Sequence, residues 1–147
     1  GMRNLQTFTR RRVLVDTSAY FALVDRTESR YPDALRIHDR LIAERWRLFT
    51  TNFIAAETHA LLLIRLGYSY ALRFLEQLDQ SSTVVVRVAA RDEQQASVIL
   101  HEYTDKAFSL TDATSFAVME RLRIDQAFTF DRNFAQYGFT VLASNQS

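Results

Sequence analysis

Four acidic residues stand at positions where an acid needs a reason. Asp16 closes the run Arg12-Val13-Leu14-Val15 and is followed by Thr17 and Ser18. Asp131 closes Ala127-Phe128-Thr129-Phe130 and is followed by Arg132 and Asn133. An apolar, β-branched or aromatic run ended by a polar helix starter reads as a buried strand feeding a helix. Ligands of open α/β sheets bind outside the carboxyl ends of the strands, so both aspartates are expected on a functional rim. Glu57 falls three positions after Ile54, four before Leu61 and seven before Ile64, which sets it on the apolar stripe of its helix. Unpaired charge is costly there. Asp112 completes Ser109-Leu110-Thr111-Asp112, a helix-start pattern. Each acid alone has a plain structural reading, as a helix cap or as a stripe-edge carboxylate reaching solvent. The chemical reading rests on the four together.

Clustered carboxylates raise one another's pKa, and a divalent cation removes that penalty. Mg²⁺ and Mn²⁺ take oxygen ligands, activate water and neutralise charge on a phosphoryl group. Zinc is disfavoured by the lack of cysteine and of a histidine pair. His38, His59 and His101 form no HExxH and read as surface or packing residues. There is no GxGxxG, no Walker A loop and no GxSxG elbow. Asp16-Thr17-Ser18 lacks the second aspartate of an aspartyl-phosphate phosphatase. The phenylalanines, Phe130 among them, fall on core-like positions rather than forming a base-stacking platform.

The elements that must position these acids alternate. Strands are expected at 12–15, 48–50, 83–88, 127–130 and 139–142. Helices are expected at 17–25, from Pro32 to 46, from a cap at Asn52 to 66 with Gly67 as the stop, and at 69–78, 91–103 and 111–122. Strands joined by helical crossovers imply an α/β fold with a central, mainly parallel sheet and helices on both faces. A chain of 147 residues is long enough for one domain with a real core. That domain is expected at 12–143, with flexible tails at 1–11 and 144–147, and Gly1 ahead of Met2 reads as a tag remnant. No apolar run reaches the about 20 residues of a membrane span and no secretory signal is visible. Without cysteine, disulfides and thiol catalysis are excluded, and a cytoplasmic location is expected. Net charge is +1, with Lys106 the only lysine and arginines spread along the whole chain. That pattern excludes a generic polyanion binder.

Taken in order, these motifs resemble the PIN-domain ribonucleases, especially the small single-domain type that includes VapC toxins. Val13-Leu14-Val15-Asp16-Thr17-Ser18 is similar to the family's first strand and acid. Asn52-Phe53-Ile54-Ala55-Ala56-Glu57 is similar to its second acid, Leu110-Thr111-Asp112-Ala113 to its third, and Phe128-Thr129-Phe130-Asp131-Arg132-Asn133-Phe134 to its fourth. The resemblance runs from about Val13 to Leu142. It implies a three-layer α/β/α sandwich and Mg²⁺- or Mn²⁺-dependent hydrolysis of RNA phosphodiesters. Asp16, Glu57, Asp112 and Asp131 would bind one or two ions and carry catalysis, supported by Thr17, Thr111 and Thr129. Arg26, Arg30 and Arg132 would contact RNA. It further implies an antitoxin partner and a homodimer, for which the apolar segments 61–64 and 68–75 offer a surface. Ser115 and Phe116 stand where some members carry a further acid, which weakens the expectation of a second ion. Two rival readings stay open: a catalytically weak or inactive PIN-like module that binds RNA or protein, and a small-molecule phosphatase.

Overall fold

A computed structural model describes residues 10–142. Five strands form one sheet: β1 Arg12–Val15, β2 Arg47–Thr51, β3 Val84–Val86, β4 Gln126–Phe128 and β5 Thr140–Val141. Seven helices join them: α1 Thr17–Val24, α2 Tyr31–Ala43, α3 Asn52–Arg65, α4 Tyr68–Gln80, α5 Ala90–Glu102, α6 Leu110–Leu122 and α7 Asn133–Tyr137. The strand order is β3-β2-β1-β4-β5 and every pairing is parallel. The expected three-layer arrangement around a parallel sheet is therefore observed. The chain winds outward from β1 to β3 and then returns to the other side of β1, so the topological switch lies between β1 and β4. In open α/β sheets that switch opens the ligand crevice.

Both faces of β1 are buried, as a covered parallel sheet requires. Val13 and Val15 pack on one side with Ala19, Ala22, Ala34, Ile37, Leu41 and Phe128. Leu14 packs on the other with Phe49, Ile54, Ile99, Phe116, Met119 and Phe134. Helix α6 is the central helix of the second layer; eight of its residues, from Asp112 to Met119, are buried. A helix buried nearly all round reads apolar without a clear stripe.

Several boundaries shift for visible reasons. Helix α2 stops at Ala43 rather than at Trp46, because Arg45 turns into the left-handed region at φ 59° and the Trp46 N–H returns to the Leu41 carbonyl. The cap of α3 is Thr51, whose hydroxyl accepts the Ile54 N–H at 3.0 Å. The expected cap, Asn52, is instead the first helical residue, and its side-chain oxygen accepts the Val88 N–H at 2.8 Å. That bond also takes Val88 out of β3, which ends at Val86. Gly67, at φ 102°, ends α3 as expected. Helix α7 supplies the helix expected after Asp131, and it is only five residues long, too short for a periodic signal to set its bounds.

The stripe of α3 is corrected. Its buried residues are Ile54, Thr58 and Leu62, while Ile64 is 80% exposed and Glu57 is exposed. Thr58 occupies the buried face because its hydroxyl is satisfied there, donating to the Ile54 carbonyl at 2.8 Å. Of the expected N-terminal tail, residues 10 and 11 are tied down. The Arg10 guanidinium donates to the Arg45 and Trp46 carbonyls, and the Arg11 carbonyl accepts the Arg47 N–H. Residues 1–9 and 144–147 of the expected tails lie outside the described residues. No helix among the described residues is long and apolar enough to cross a membrane.

Candidate active site

The carboxyl ends of β1 and β4 are joined by one hydrogen-bonded knot. The Asp16 N–H donates to the Phe128 carbonyl at 3.0 Å. The Thr129 hydroxyl donates to Asp16 Oδ2 at 3.0 Å, and the Ser18 hydroxyl reaches the same oxygen at 3.4 Å. The Phe130 N–H donates to Ser18 Oγ, and the Asp131 N–H to Thr129 Oγ1. Strand β4 stops at Phe128 because the backbone beyond it bonds to these hydroxyls and not to a neighbouring strand. Asp16 sits at the N-cap of α1, yet its side chain makes no capping bond. Its carboxylate is committed to the rim instead.

Asp16 is 4% exposed. Burial pushes its carboxyl up from 3.8 to about 6, opposed by the Thr17 backbone and the Thr129 hydroxyl and reinforced by the charges of Asp112 and Glu57. Asp16 thus feels two of the other three expected acids. Asp112 is 8% exposed and belongs to a capping box: its N–H donates to Ser109 Oγ and its Oδ2 accepts the Ser109 N–H, both at 3.0 Å. The structural reading of Asp112 is therefore real, and it fixes the carboxylate in place for other work. Among the described residues the ion pairs lie elsewhere, at Arg11–Glu44, Arg36–Asp33, Lys106–Asp105 and Arg121–Asp92.

Asn133 completes the rim, and sequence reasoning gave it no role. Its side-chain amide donates to Asp112 Oδ2 at 2.8 Å and to Asp131 Oδ2 at 3.4 Å. Its N–H closes an Asx turn on Asp131 Oδ1 at 3.1 Å. The one available signal was its place two residues after Asp131. Among the supporting threonines, Thr129 holds Asp16 and Thr17 accepts from the Thr58 hydroxyl at 3.4 Å. Thr111 enters through its carbonyl, which accepts from Thr114 and Ser115.

Of the expected RNA contacts, Arg30 touches this knot. Its guanidinium lies 5.4 Å from the Phe130 ring centre and reaches the Phe130 carbonyl. Arg132 is exposed at the N-cap of α7. Arg26 lines a separate cleft of about 480 Å³ with Tyr31, Tyr70 and Arg73.

Hydrogen bonds through Thr129 and Asn133 link Asp16, Asp112 and Asp131, and the charge of Glu57 is felt at Asp16. They share a rim, but among the described residues no three His, Cys, Asp or Glu side chains form a ready metal cluster. The donor set is nevertheless all oxygen, dominated by carboxylates and partly buried. It suits a hard divalent cation and not a thiophilic one.

A family model for the PIN domain matches residues 13–140. The 23S rRNA-specific endonuclease VapC20 of Mycobacterium tuberculosis is 32% identical over 127 residues, spanning 86% of this chain and 95% of that protein. The crystal structure of Mycobacterium tuberculosis VapC20, described as a sarcin-ricin loop cleaving toxin, superposes with a TM-score of 0.81. It is 32% identical and covers 89% of this chain and 98% of its own. FitAcB from Neisseria gonorrhoeae superposes with a TM-score of 0.69 at 15% identity over 92% and 99% of the two chains, a likeness of fold.

Proposed function

The chain belongs to the PIN-domain family, and on that premise we propose that it is a divalent-metal-dependent endoribonuclease, the toxin of a toxin-antitoxin pair. The observation that carries this is Asp16: a buried carboxylate at the sheet's switch point, pushed up to about 6 by burial, with the charges of Asp112 and Glu57 acting in the same direction. Such a site is costly to a fold unless it is used.

Asp16, Glu57, Asp112 and Asp131 would hold one or two Mg²⁺ or Mn²⁺ ions, which when bound supply an activated water and neutralise charge on the phosphoryl group. The chain's own residues do the rest. Thr129 and Ser18 fix the Asp16 carboxylate by donating to Oδ2. Asn133 turns Asp112 and Asp131 toward one another. Arg30, stacked on Phe130, and the exposed Arg132 offer guanidinium forks to RNA phosphates beside the acids. Arg26, in its separate cleft, is a further candidate phosphate contact.

A folded ribosomal RNA is the first substrate to test, since the VapC20 relative is named for one. Exposed Leu63, Ile64, Tyr68, Tyr70 and Leu72 on α3 and α4 supply a homodimer surface, and an antitoxin is the expected inhibitor. The test is cleavage of RNA by the purified chain in EDTA, Mg²⁺ or Mn²⁺, beside Asp16→Asn. Metal-dependent cleavage lost in the variant supports the reading. Cleavage that persists in the variant overturns the site. RNA binding without cleavage under any metal favours the inactive binding module.

A further inference from the structure

The arginines that look dispersed in the sequence are gathered by the fold at the end of the sheet opposite the acids. Arg12 and Arg47 open β1 and β2 and are register partners, about 4.8 Å apart between parallel strands. The Arg12 guanidinium donates to the Arg123 carbonyl at 2.8 Å. Arg10 donates to the Arg45 carbonyl at 2.8 Å, and Arg11 lies over the Trp46 ring. Six arginines from three segments distant in sequence are thus brought to one end of the sheet, and five of them are exposed. The nearby acids are Glu44, already paired with Arg11, and Asp125. Strand β1 separates this pole from Asp16 by about 13 Å at about 3.3 Å per residue.

A second observation concerns the backbone. Three non-glycine residues among those described have positive φ, and two of them are Arg45 at 59° and Arg123 at 57°. Both follow helices at positions where glycine or asparagine relieves strain. Neither side chain makes a hydrogen bond or ion pair among the described residues. The sequence therefore keeps two outward guanidinium groups at strained positions, both at this pole.

We propose that the arginine pole formed by Arg10, Arg11, Arg12, Arg45, Arg47 and Arg123 binds the phosphate backbone of a folded RNA, as an anchor remote from the acid rim. The choice of RNA as the polyanion rests on the nuclease reading. Guanidinium forks match phosphate oxygens bidentately, and a cluster of arginines from three segments with few acids beside it suits a phosphate backbone. An acidic cleavage rim repels RNA, so a basic pole elsewhere raises the encounter rate with a large substrate.

The test is the double variant Arg45→Gly/Arg123→Gly, which removes charge while easing the backbone. RNA binding is measured in EDTA, so that no cleavage intervenes, using a ribosomal RNA fragment of several hundred nucleotides across a salt series. The expected result is affinity lower by roughly tenfold and a salt slope reduced by about two. Tm is expected to be unchanged or raised. Metal-dependent cleavage of a short oligonucleotide is expected to match the parent. Unchanged affinity and slope overturn the proposal. A lowered Tm with RNA binding intact assigns the arginines to helix-end charge and also overturns it. Loss of binding to polyglutamate with RNA binding intact points to an acidic protein instead and overturns it likewise. If the parent cleaves no RNA at all, the nuclease reading fails while the binding result still decides the pole.

Discussion

Asp16 is a liability to the fold and an asset to the chemistry, and pH separates the two. An unfolded aspartate loses its proton near 3.8, whereas this one holds it to about 6. The stability contributed by neutral Asp16 is full below about 3.8 and is lost as pH rises through about 6. The gap corresponds to about 3 kcal/mol at most. Asp16→Asn is therefore expected to abolish metal-dependent cleavage and yet to raise the metal-free Tm at pH 7.5, with little change at pH 4. Thermal melts of both proteins at the two pH values, with EDTA, check this. A lower Tm for the variant at pH 7.5 contradicts the buried-charge account. Asn133 acts through the acids it bridges. Asn133→Ala is expected to lower cleavage by about 10- to 100-fold through misplacement of Asp112 and Asp131. Rescue by raised Mn²⁺ marks a positioning role, and a rate equal to the parent's removes it.

At the scale of elements, α5 and α6 are locked together by a nearly enclosed ion pair. Arg121 donates from Nε and Nη2 to the two Asp92 oxygens at 2.7 and 2.8 Å, and Asp92 is 2% exposed. The same carboxylate accepts the Ala89 N–H and so caps α5. The Arg121 hydrogen bonds hold its carboxyl below the usual 3.8. This contribution to stability is present above 3.8 and fades as pH falls through the lowered value, the opposite sign to Asp16. Arg121→Met leaves Asp92 buried and unpaired. It is expected to cost about 3 kcal/mol, read as a shift in the urea midpoint. A midpoint within error of the parent's would show that Asp92 finds solvent. The same layer depends on Phe116, fully buried and packed edge-on to Phe108 and Phe134. Phe116→Ala is expected to cost about 3–5 kcal/mol, loosening α6 and with it Asp112.

At the scale of the whole molecule, charge and apolar surface are segregated. Asp16, Asp112 and Asp131 stand at the carboxyl rim of the sheet and six of the arginines at its opposite pole, in a chain whose net charge is only +1. The exposed side of α3 and α4 carries Ile64 at 80% and Tyr68 at 70% exposure. Exposed apolar side chains on adjacent helices are the expected place for an interface. Sedimentation is expected to show a dimer, and Ile64→Arg/Tyr68→Arg a monomer with Tm reduced in a concentration-independent manner. A monomeric parent at tens of micromolar leaves that face to another partner.

Much of this was legible along the chain. Strand and helix alternation, the parallel sheet, the strand-end aspartates and the capping box at Asp112 are local patterns. Spacing and residue type carry them, because 3.6- and 2-residue periods and cap chemistry act over a few residues. What only the tertiary structure decided involves partners distant in sequence. Glu57 looked like a stripe residue, but the helix rotated to bury Thr58, whose hydroxyl found Ile54 and Thr17. Asn133 gained its role only when β4 and α6 brought Asp131 and Asp112 to either side of its amide. The arginines at 10–12, 45–47 and 123 appeared scattered until strand register set them at one pole. Local propensity fixes which elements form; which side chains meet is set by burial and register between elements, and a single residue's rotation changes it.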